Sequence, residues 1–173
     1  MDNAQELIRA WCEGNDAVAF RRFYRHESQR LWRYLIARGA EQEQAYDLVS
    51  EAFTRFIQTV CKDPDSPSAF LFRIAQNLLI DHFRRHGRKE IPLESHHLEQ
   101  IQKSSDHGQL EWADLMRAVK RLSRDEQNIV LLRYWLGMTY KEVAGVIGRP
   151  EGTLRRQGAT TLARLKVLME EDE

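Results

Sequence analysis

The sequence has few cysteines, no β-hairpin signal and no long apolar run. Cys12 and Cys61, the two cysteines, lie far apart and in no metal-ligand spacing, so we interpret them as packed thiols in a reducing compartment. No Asn-Gly or Asp-Gly pair marks a hairpin turn. No apolar stretch approaches the roughly 20 residues that cross a bilayer, and the N-terminus does not resemble a signal peptide. These absences predict an all-α, soluble, cytoplasmic protein without membrane insertion.

The charge of the whole chain indicates no partner, because 26 basic residues balance 26 acidic ones. A nucleic-acid footprint would therefore be local. The sequence also shows no nucleophile–base pairing, no phosphate-binding glycine loop and no metal-ligand spacing. We predict that the chain is not an enzyme by itself and takes no cofactor. His96 and His97 could bind a metal, but no cysteine or helical i, i+4 partner accompanies them, so we interpret them as solvated.

Apolar residues spaced three and four apart predict helices through the first half of the chain. The expected helices are residues 4–13, a longer helix ending near Ala37, a third built on the stripe Ala45–Val60, and a fourth from Pro67 to His86. The second would bury Phe20, Phe23, Tyr24, Leu31, Leu35 and Trp32. The third would bury one apolar stripe made of Ala45, Leu48, Val49, Ala52, Phe53, Phe56, Ile57 and Val60.

A loop with two prolines, residues 62–68, precedes the fourth helix. Ser66 is expected to cap that helix, with Pro67 at its first position. The helix ends in a basic cluster, residues 83–89, that includes an aromatic side chain. Such a cluster suits nucleic acid, and it equally suits the negative end of a helix dipole, so the residues alone leave both interpretations open.

The segment 122–168 has the pattern of a helix-turn-helix unit. Ser123 and Thr139 each begin a capping box, with Glu three residues later, ahead of an apolar helical run. Gly148 suits the turn before the third helix of this segment. That helix is marked by Leu154, Leu162, Leu165 and Leu168. Its other face would be free for a DNA groove; the alternative is an ordinary helical hairpin with a solvated basic face.

Residues 89–109 differ from both flanks in having few large apolar side chains, with four acidic residues against two basic ones. We interpret them as a flexible acidic linker. The predicted organisation is therefore an N-terminal helical domain, residues 1–88, the linker 89–109, and a C-terminal helix-turn-helix domain, residues 110–173.

Three stretches of the sequence, in their order along the chain, resemble a known family. They are Tyr46–Phe53, Phe72–Arg85, and the block from Leu131 to Leu154. Together with the linker they resemble a bacterial sigma factor of the extracytoplasmic-function group of the sigma-70 family. The resemblance extends from Phe20 to Leu168 and implies two small helical domains.

The resemblance implies that the chain binds core RNA polymerase, at its clamp and flap, and directs promoter-specific transcription initiation. Promoter DNA and an anti-sigma regulator are the other implied partners. Two alternatives remain. A dimeric helix-turn-helix regulator would act without forming holoenzyme and would bind palindromic sites. A sigma mimic would bind polymerase or an anti-sigma protein without reading promoters.

The resemblance also implies three groups of contact residues. Polymerase would be contacted by Asp47, Leu48, Ser50 and Glu51. The downstream promoter element would be read and opened by Asp65, Ser66, Asn77, Asp81, Arg84, Arg85 and Arg88. The upstream element would be read by Lys141, Thr153, Arg155, Arg156 and Thr160, with one of the two arginines pairing with a guanine.

The sequence departs from the family pattern at three places. Ser50 stands where the family usually has Gln, which weakens one expected polymerase contact. Arg149-Pro150 replaces the usual valine-serine before the third helix, so no side chain is expected to cap that helix. Gly158 replaces a large aliphatic residue, so the helix either lies close to its neighbours or is loosely packed.

Overall fold

The computed structural model describes residues 3–63, 65–87 and 109–171, with only the backbone described for residues 109–113. All regular structure within these ranges is helical, which confirms the all-α prediction. None of the helices in the described ranges is both long and apolar enough to span a bilayer. Arg88, the His96-His97 pair and nearly all of the predicted linker lie outside the described residues.

The N-terminal helices follow the predicted order. They are α1 (Ala4–Gly14), α2 (Ala17–Ala37), α3 (Gln42–Thr59), a short 3-10 helix (Val60–Lys62) and α4 (Pro67–Arg85). The side chain of Asn3 caps α1 by accepting a hydrogen bond from the Gln5 backbone N–H at 3.1 Å. Local sequence signals therefore set the start of this first helix.

The C-terminal helices contain both predicted capping boxes. They are α5 (Gln109–Lys120), α6 (Arg124–Ile129), a π-helical turn (Val130–Trp135), α7 (Tyr140–Ile147) and α8 (Glu151–Glu171). Ser123 Oγ accepts from the Glu126 N–H at 3.3 Å, and Thr139 Oγ1 accepts from the Glu142 N–H at 3.1 Å. Gly148 has φ 80° and forms the turn from α7 to α8, a conformation that side chains disfavour.

The π-helical turn interrupts the single helix predicted after Ser123. The Leu136 N–H donates to the Leu131 carbonyl, five residues back, at 2.9 Å. Just beyond it, the Met138 N–H reaches the Leu132 carbonyl at 3.0 Å. Apolar spacing predicted that this stretch is helical, but it does not distinguish an α-helix from a wider turn.

The chain divides into two compact units. The first comprises Met1–Leu35 and Ala40–Lys89, and the second comprises Ile36–Gly39 and Glu90–Glu173. The boundaries that we predict at residues 88 and 110 stay a prediction.

Aromatic side chains form the core of the first unit. Phe23 of α2 stacks on Phe56 of α3, with ring centroids 5.3 Å apart, and Phe53 meets both rings edge-on. Phe72 of α4 lies 5.5 Å from Tyr34 of α2, and Tyr34 donates to Gln76 Oε1 at 3.2 Å. Helices α2, α3 and α4 therefore pack around one core. This packing determines which faces of α3 and α4 remain on the outside of the unit.

A buried carboxylate ties α2 to the start of α4. Glu27 is 1% exposed and accepts two hydrogen bonds from Arg30 Nη1, at 2.8 and 3.0 Å. Ser68, in the first turn of α4, donates to the same carboxylate at 3.2 Å. A buried charge requires such partners, so this cluster fixes the direction in which α4 leaves the preceding loop.

Two predictions of burial were wrong, because Tyr24 is 44% exposed and Ile57 is 42% exposed. Leu162, one of the leucines that mark α8, is likewise 41% exposed. Each lies at the margin of an otherwise buried stripe. Helical spacing identifies which residues share a face, whereas the width of the covered face depends on the neighbouring helices.

The prediction of packed thiols was also wrong. Cys12 of α1 and Cys61 of the 3-10 helix form a disulfide, with their Cα atoms 5.5 Å apart. Their separation of 49 residues gave no indication of pairing, because connectivity depends on how the helices pack. The bond joins α1 to the segment that leads into the loop before α4.

Candidate polymerase and promoter interfaces

The outer face of α3 presents three of the four residues predicted to contact polymerase. Asp47, Ser50 and Glu51 are exposed, and Glu51 pairs with Arg55 one turn on, at 2.8 Å. Leu48 is only 7% exposed and packs into the core of its own unit. The side chain of Leu48 therefore supports this surface from beneath, and the exposed part of the predicted contact set is polar and acidic.

The loop before α4 is held by α1. Asp65, a predicted contact for the downstream element, accepts hydrogen bonds from Gln5 Nε2 at 2.7 Å and from Arg9 Nη2 at 2.8 Å. Asp65 remains exposed all the same, with 66% of its side chain accessible. Nothing in the sequence indicated that α1 contributes to this loop, because the partners are 56 and 60 residues away.

Ser66 occupies the N-cap position of α4 but does not cap it with its side chain. Its backbone is left-handed, with φ 53° and ψ 55°, whereas a capping serine has an extended backbone. Pro67 stands at the first helical position, as predicted. The prediction of a Ser66 side-chain cap was therefore wrong, and the turn places Ser66 half-buried at the base of the loop.

The face of α4 predicted to meet DNA is polar and accessible. Asn77, Asp81, Arg84 and Arg85 are all exposed. Arg84 lies 3.9 Å from Asp81, too far for a hydrogen bond, and 77% of its side chain is accessible. The helix thus ends in cations that extend into solvent, with Arg88 outside the described residues.

The helix-turn-helix unit places the predicted upstream residues along the start of α7 and the first three turns of α8. Lys141 is exposed in the first turn of α7. On α8, Thr153 is half-buried, while Arg155, Arg156 and Thr160 are exposed. Thr160 Oγ1 donates back to the Arg156 carbonyl at 3.1 Å. These residues occupy the outward half of the helix, opposite the buried positions that include Leu154 and Leu165.

The two predicted base-reading arginines have different surroundings. Arg155 pairs with Glu151 at 2.6 Å, and its guanidinium lies 5.3 Å from the centroid of the Tyr140 ring. Arg156 and Thr160 instead line a recess against the start of α6. Arg155 is therefore held by two neighbours on the α7 side of α8, and Arg156 lies on the α6 side.

Arg149, at the turn into α8, is directed back to α6. It pairs with Asp125 at 2.7 Å. The helix itself begins at Glu151, and the Leu154 N–H donates to the carbonyl of Pro150 at 3.1 Å. Pro150 thus has no side chain that could cap α8, and the residue before it, Arg149, is held in place by its ion pair with Asp125.

Sequence reasoning missed an aromatic cluster beside α8. The hydroxyl groups of Tyr134 and Tyr140 are hydrogen-bonded at 2.7 Å, and Arg133 lies 5.1 Å from the centroid of the Tyr140 ring. Tyr134 is 41% exposed, but partial desolvation of its phenol and the hydrogen bond to Tyr140 together raise its pKa to about 12. In the sequence, two tyrosines flank the turn before α7, and this spacing does not by itself predict that their side chains meet.

The Tyr140 ring accounts for Gly158. Gly158 is buried in α8, and a β-carbon there would lie 3.1 Å from Cζ and 3.2 Å from Cε1 of Tyr140, and closer still to its hydroxyl oxygen. The sequence left open whether α8 lies close to its neighbours or is loosely packed, and the structure shows that it lies close to Tyr140.

No group of His, Cys, Asp and Glu side chains in the described part of the chain could hold a metal ion.

Two family models match the chain, one on each unit. Sigma-70 region 2 matches residues 23–89, which include α3, the loop and α4. Sigma-70, region 4 matches residues 112–165, which include the helix-turn-helix.

Curated relatives and a solved structure are similar over most of the chain. The extracytoplasmic-function (ECF) RNA polymerase sigma factor BldN of Streptomyces coelicolor is 34% identical over 171 residues, covering 92% of this chain and 64% of that protein. The ECF sigma factor SigE of Mycolicibacterium smegmatis is 30% identical, covering 76% of this chain and 54% of that one. The chain thus spans less than two thirds of each. The sigma factor RpoE of Bartonella quintana, solved with the anti-sigma factor NepR, matches with a TM-score of 0.65 at 20% identity, over 89% of this chain and 98% of that chain, and shares the fold.

Proposed function

The chain belongs to the sigma-70 family of RNA polymerase sigma factors, and on that premise we propose that it binds core RNA polymerase and directs promoter-specific transcription initiation. The observation that carries the proposal is the presence of both regions on one chain, region 2 over α2–α4 and region 4 over the helix-turn-helix. A helix-turn-helix repressor needs only the second. We place its action in the cytoplasm, where polymerase and promoters are.

The proposal assigns polymerase binding to the exposed acidic face of α3. Asp47 and Glu51 lie one helical turn apart on that face, beside Ser50, and are accessible to a partner. Leu48 packs inward and maintains the position of the helix. Acidic side chains in this arrangement suit a basic groove on the polymerase, with charge complementarity favouring association.

Downstream recognition is assigned to the loop before α4 and to the outer face of α4. Opening a promoter requires cations for the phosphates and a surface that accepts unstacked bases. Arg84 and Arg85 supply exposed charge at the end of α4, and Asp81 and Asn77 supply polar groups one and two turns earlier, respectively. Asp65 and Ser66 form the loop side of this surface.

Upstream recognition is assigned to α8 in the major groove, with Lys141 and Thr153 at the phosphates. Arg155 and Arg156 are the base-reading candidates, because an arginine pairs with guanine through two parallel hydrogen bonds. The fold shared with a sigma factor solved with its anti-sigma partner supports a proposal that this chain, too, is held inactive by a protein regulator.

Transcription in vitro with purified core polymerase and a genomic promoter library tests the proposal. Transcripts are expected from a restricted set of promoters, and only when chain and core polymerase are both present. Asp47→Lys with Glu51→Lys should abolish them, while Glu13→Lys, an exposed charge reversal on α1, should not. DNA binding to palindromic sites without polymerase would instead favour the dimeric regulator.

A further inference from the structure

Gly158 lies in the interior of α8, where a glycine needs an explanation. Gly in a helix interior is less stable than Ala by about 1 kcal/mol, and Gly158 does not have the positive φ that would require it. The space beside it provides the reason, because Tyr140 occupies the volume that a β-carbon would need. Gly152, in the same helix, has no atom within 4 Å of the corresponding position. The requirement for glycine is therefore specific to position 158.

Tyr140 is held by contacts on several sides. Its hydroxyl is hydrogen-bonded to that of Tyr134 at 2.7 Å, and the guanidinium of Arg133 lies 5.1 Å from its ring centroid. Arg133 is itself anchored, because it donates to the carbonyl of Met138 at 3.1 Å. The ring is therefore fixed by the segment before α7 and by the close approach of Gly158, and it has little freedom to move.

Arg155 rests on this fixed ring. Its guanidinium lies 5.3 Å from the Tyr140 centroid, and Glu151 accepts one hydrogen bond from it at 2.6 Å. The Arg155 side chain is nevertheless 61% exposed. An arginine with five N–H donors can stack on an aromatic ring, pair with one carboxylate and still present a fork to a base.

We propose that Tyr140 is a positioning residue that orients Arg155 for upstream promoter recognition, and that Gly158 is present to admit the Tyr140 ring. A long side chain loses rotamer freedom when it binds, and one that is already ordered loses less. Among the described residues, Arg156 lacks a comparable support from a ring and a carboxylate, so we assign base reading to Arg155. The inference rests on the proposed function, and it names the residues that give upstream recognition its sequence preference.

The first test is a double-mutant cycle read out as sequence preference, using holoenzyme and a library with a randomised upstream element. Arg155→Ala should lower the preference at one position by about 5- to 150-fold. Tyr140→Leu, which keeps bulk but removes the aromatic face, should lower it about two- to fivefold at the same position. In the Arg155→Ala background, Tyr140→Leu should have no further effect on that position. Additive losses, or a loss at a different position, would overturn the proposal.

The second test is rescue. Gly158→Ala should disturb Tyr140 and lower the preference at the Arg155 position, whereas Gly152→Ala should leave it unchanged. Adding Tyr140→Phe to Gly158→Ala removes the atom nearest to the new β-carbon, so part of the preference should return. Circular dichroism monitors folding of each variant, and Tyr140→Phe alone serves as a second, milder variant that keeps the ring beside Arg155.

The outcomes separate the inference from the proposed function. If wild-type holoenzyme selects an upstream element but Arg155→Ala selects the same one, the inference fails while the proposed function stands. A Gly158→Ala variant that is no better with Tyr140→Phe than without it would also overturn the inference. If the wild-type chain directs no initiation with core polymerase, the proposed function fails and the inference fails with it.

Discussion

The guanidinium of Arg9 lies 2.8 Å from the carboxylate of Asp65, so α1 holds the loop that we assign to the downstream promoter element. Both side chains are at least half exposed. An exposed ion pair contributes at most about 1 kcal/mol to stability, so the contact matters more for the conformation of the loop than for folding.

Arg9→Ala should therefore change promoter use with little change in stability. The free energy of unfolding is expected to fall by less than about 1 kcal/mol, while the loop loses the contact between Asp65 and Arg9. Preference at the downstream element and the urea midpoint measure the two effects. Arg25→Ala, at an exposed position of α2, is the control. A large loss of stability without a change in downstream preference would contradict this expectation.

Reduction of the Cys12–Cys61 disulfide should destabilise the first unit. The bond joins residues that are 49 apart in the sequence. A disulfide that closes a loop of this size lowers the conformational entropy of the unfolded chain and typically stabilises the folded state by about 2–4 kcal/mol. Urea unfolding with and without dithiothreitol measures the difference. Cys12→Ser with Cys61→Ser should reproduce the reduced protein and should no longer respond to dithiothreitol. An unchanged midpoint on reduction would show that the bond does not contribute.

Arg84→Ala with Arg85→Ala should impair promoter opening more than polymerase binding. These side chains extend into solvent at the end of α4, and each phosphate contact removed should reduce the dependence of DNA binding on salt. Permanganate footprinting of unpaired thymines reports opening, and pull-down reports polymerase binding. Normal opening by the double variant at moderate salt would favour the alternative that the cations only complement the helix end.

The Tyr134 phenol should stay protonated well into the alkaline range. Partial desolvation of the phenol and the hydrogen bond to Tyr140 raise its pKa to about 12, from 10.0. A raised pKa means that the neutral form stabilises the fold. This contribution is complete below the ordinary pKa and is lost as the pH rises through about 12. The absorbance of ionised tyrosine, as a difference between wild type and Tyr134→Phe, measures the midpoint. Tyr140→Phe removes the hydrogen-bond partner and should lower it; an unchanged midpoint would contradict the assigned cause.

Local signals in the sequence predicted the starts of α6 and α7 and the turn before α8. The capping boxes at Ser123 and Thr139 need only residues three apart, and Gly148 needs only its own backbone freedom. Such features depend on neighbours along the chain, and the structure contains all three. The stripe of α3 was predicted for the same reason, apart from Ile57 at its margin.

Features that depend on tertiary packing were not predictable. Nothing near Cys12 or Cys61 indicated that the two would meet, and the partners of Asp65 lie in a different helix. The meaning of Gly158 also required the position of Tyr140, eighteen residues earlier in the numbering, across a turn. Sequence reasoning identified Gly158 as unusual, but only the neighbouring ring explains it.

The π-helical turn from Val130 to Trp135 has a bearing on how relatives of this chain can be aligned. A π-helical turn spans five residues per hydrogen bond where an α-helix spans four, so a relative one residue shorter here could run as an uninterrupted α-helix between the same end points. A one-residue difference in length can be absorbed at this turn. A deletion that is not absorbed in this way would rotate Tyr134 about 100° around the helix axis relative to the residues before it. The partner of Tyr140 would be lost, although every residue of the recognition helix was unchanged.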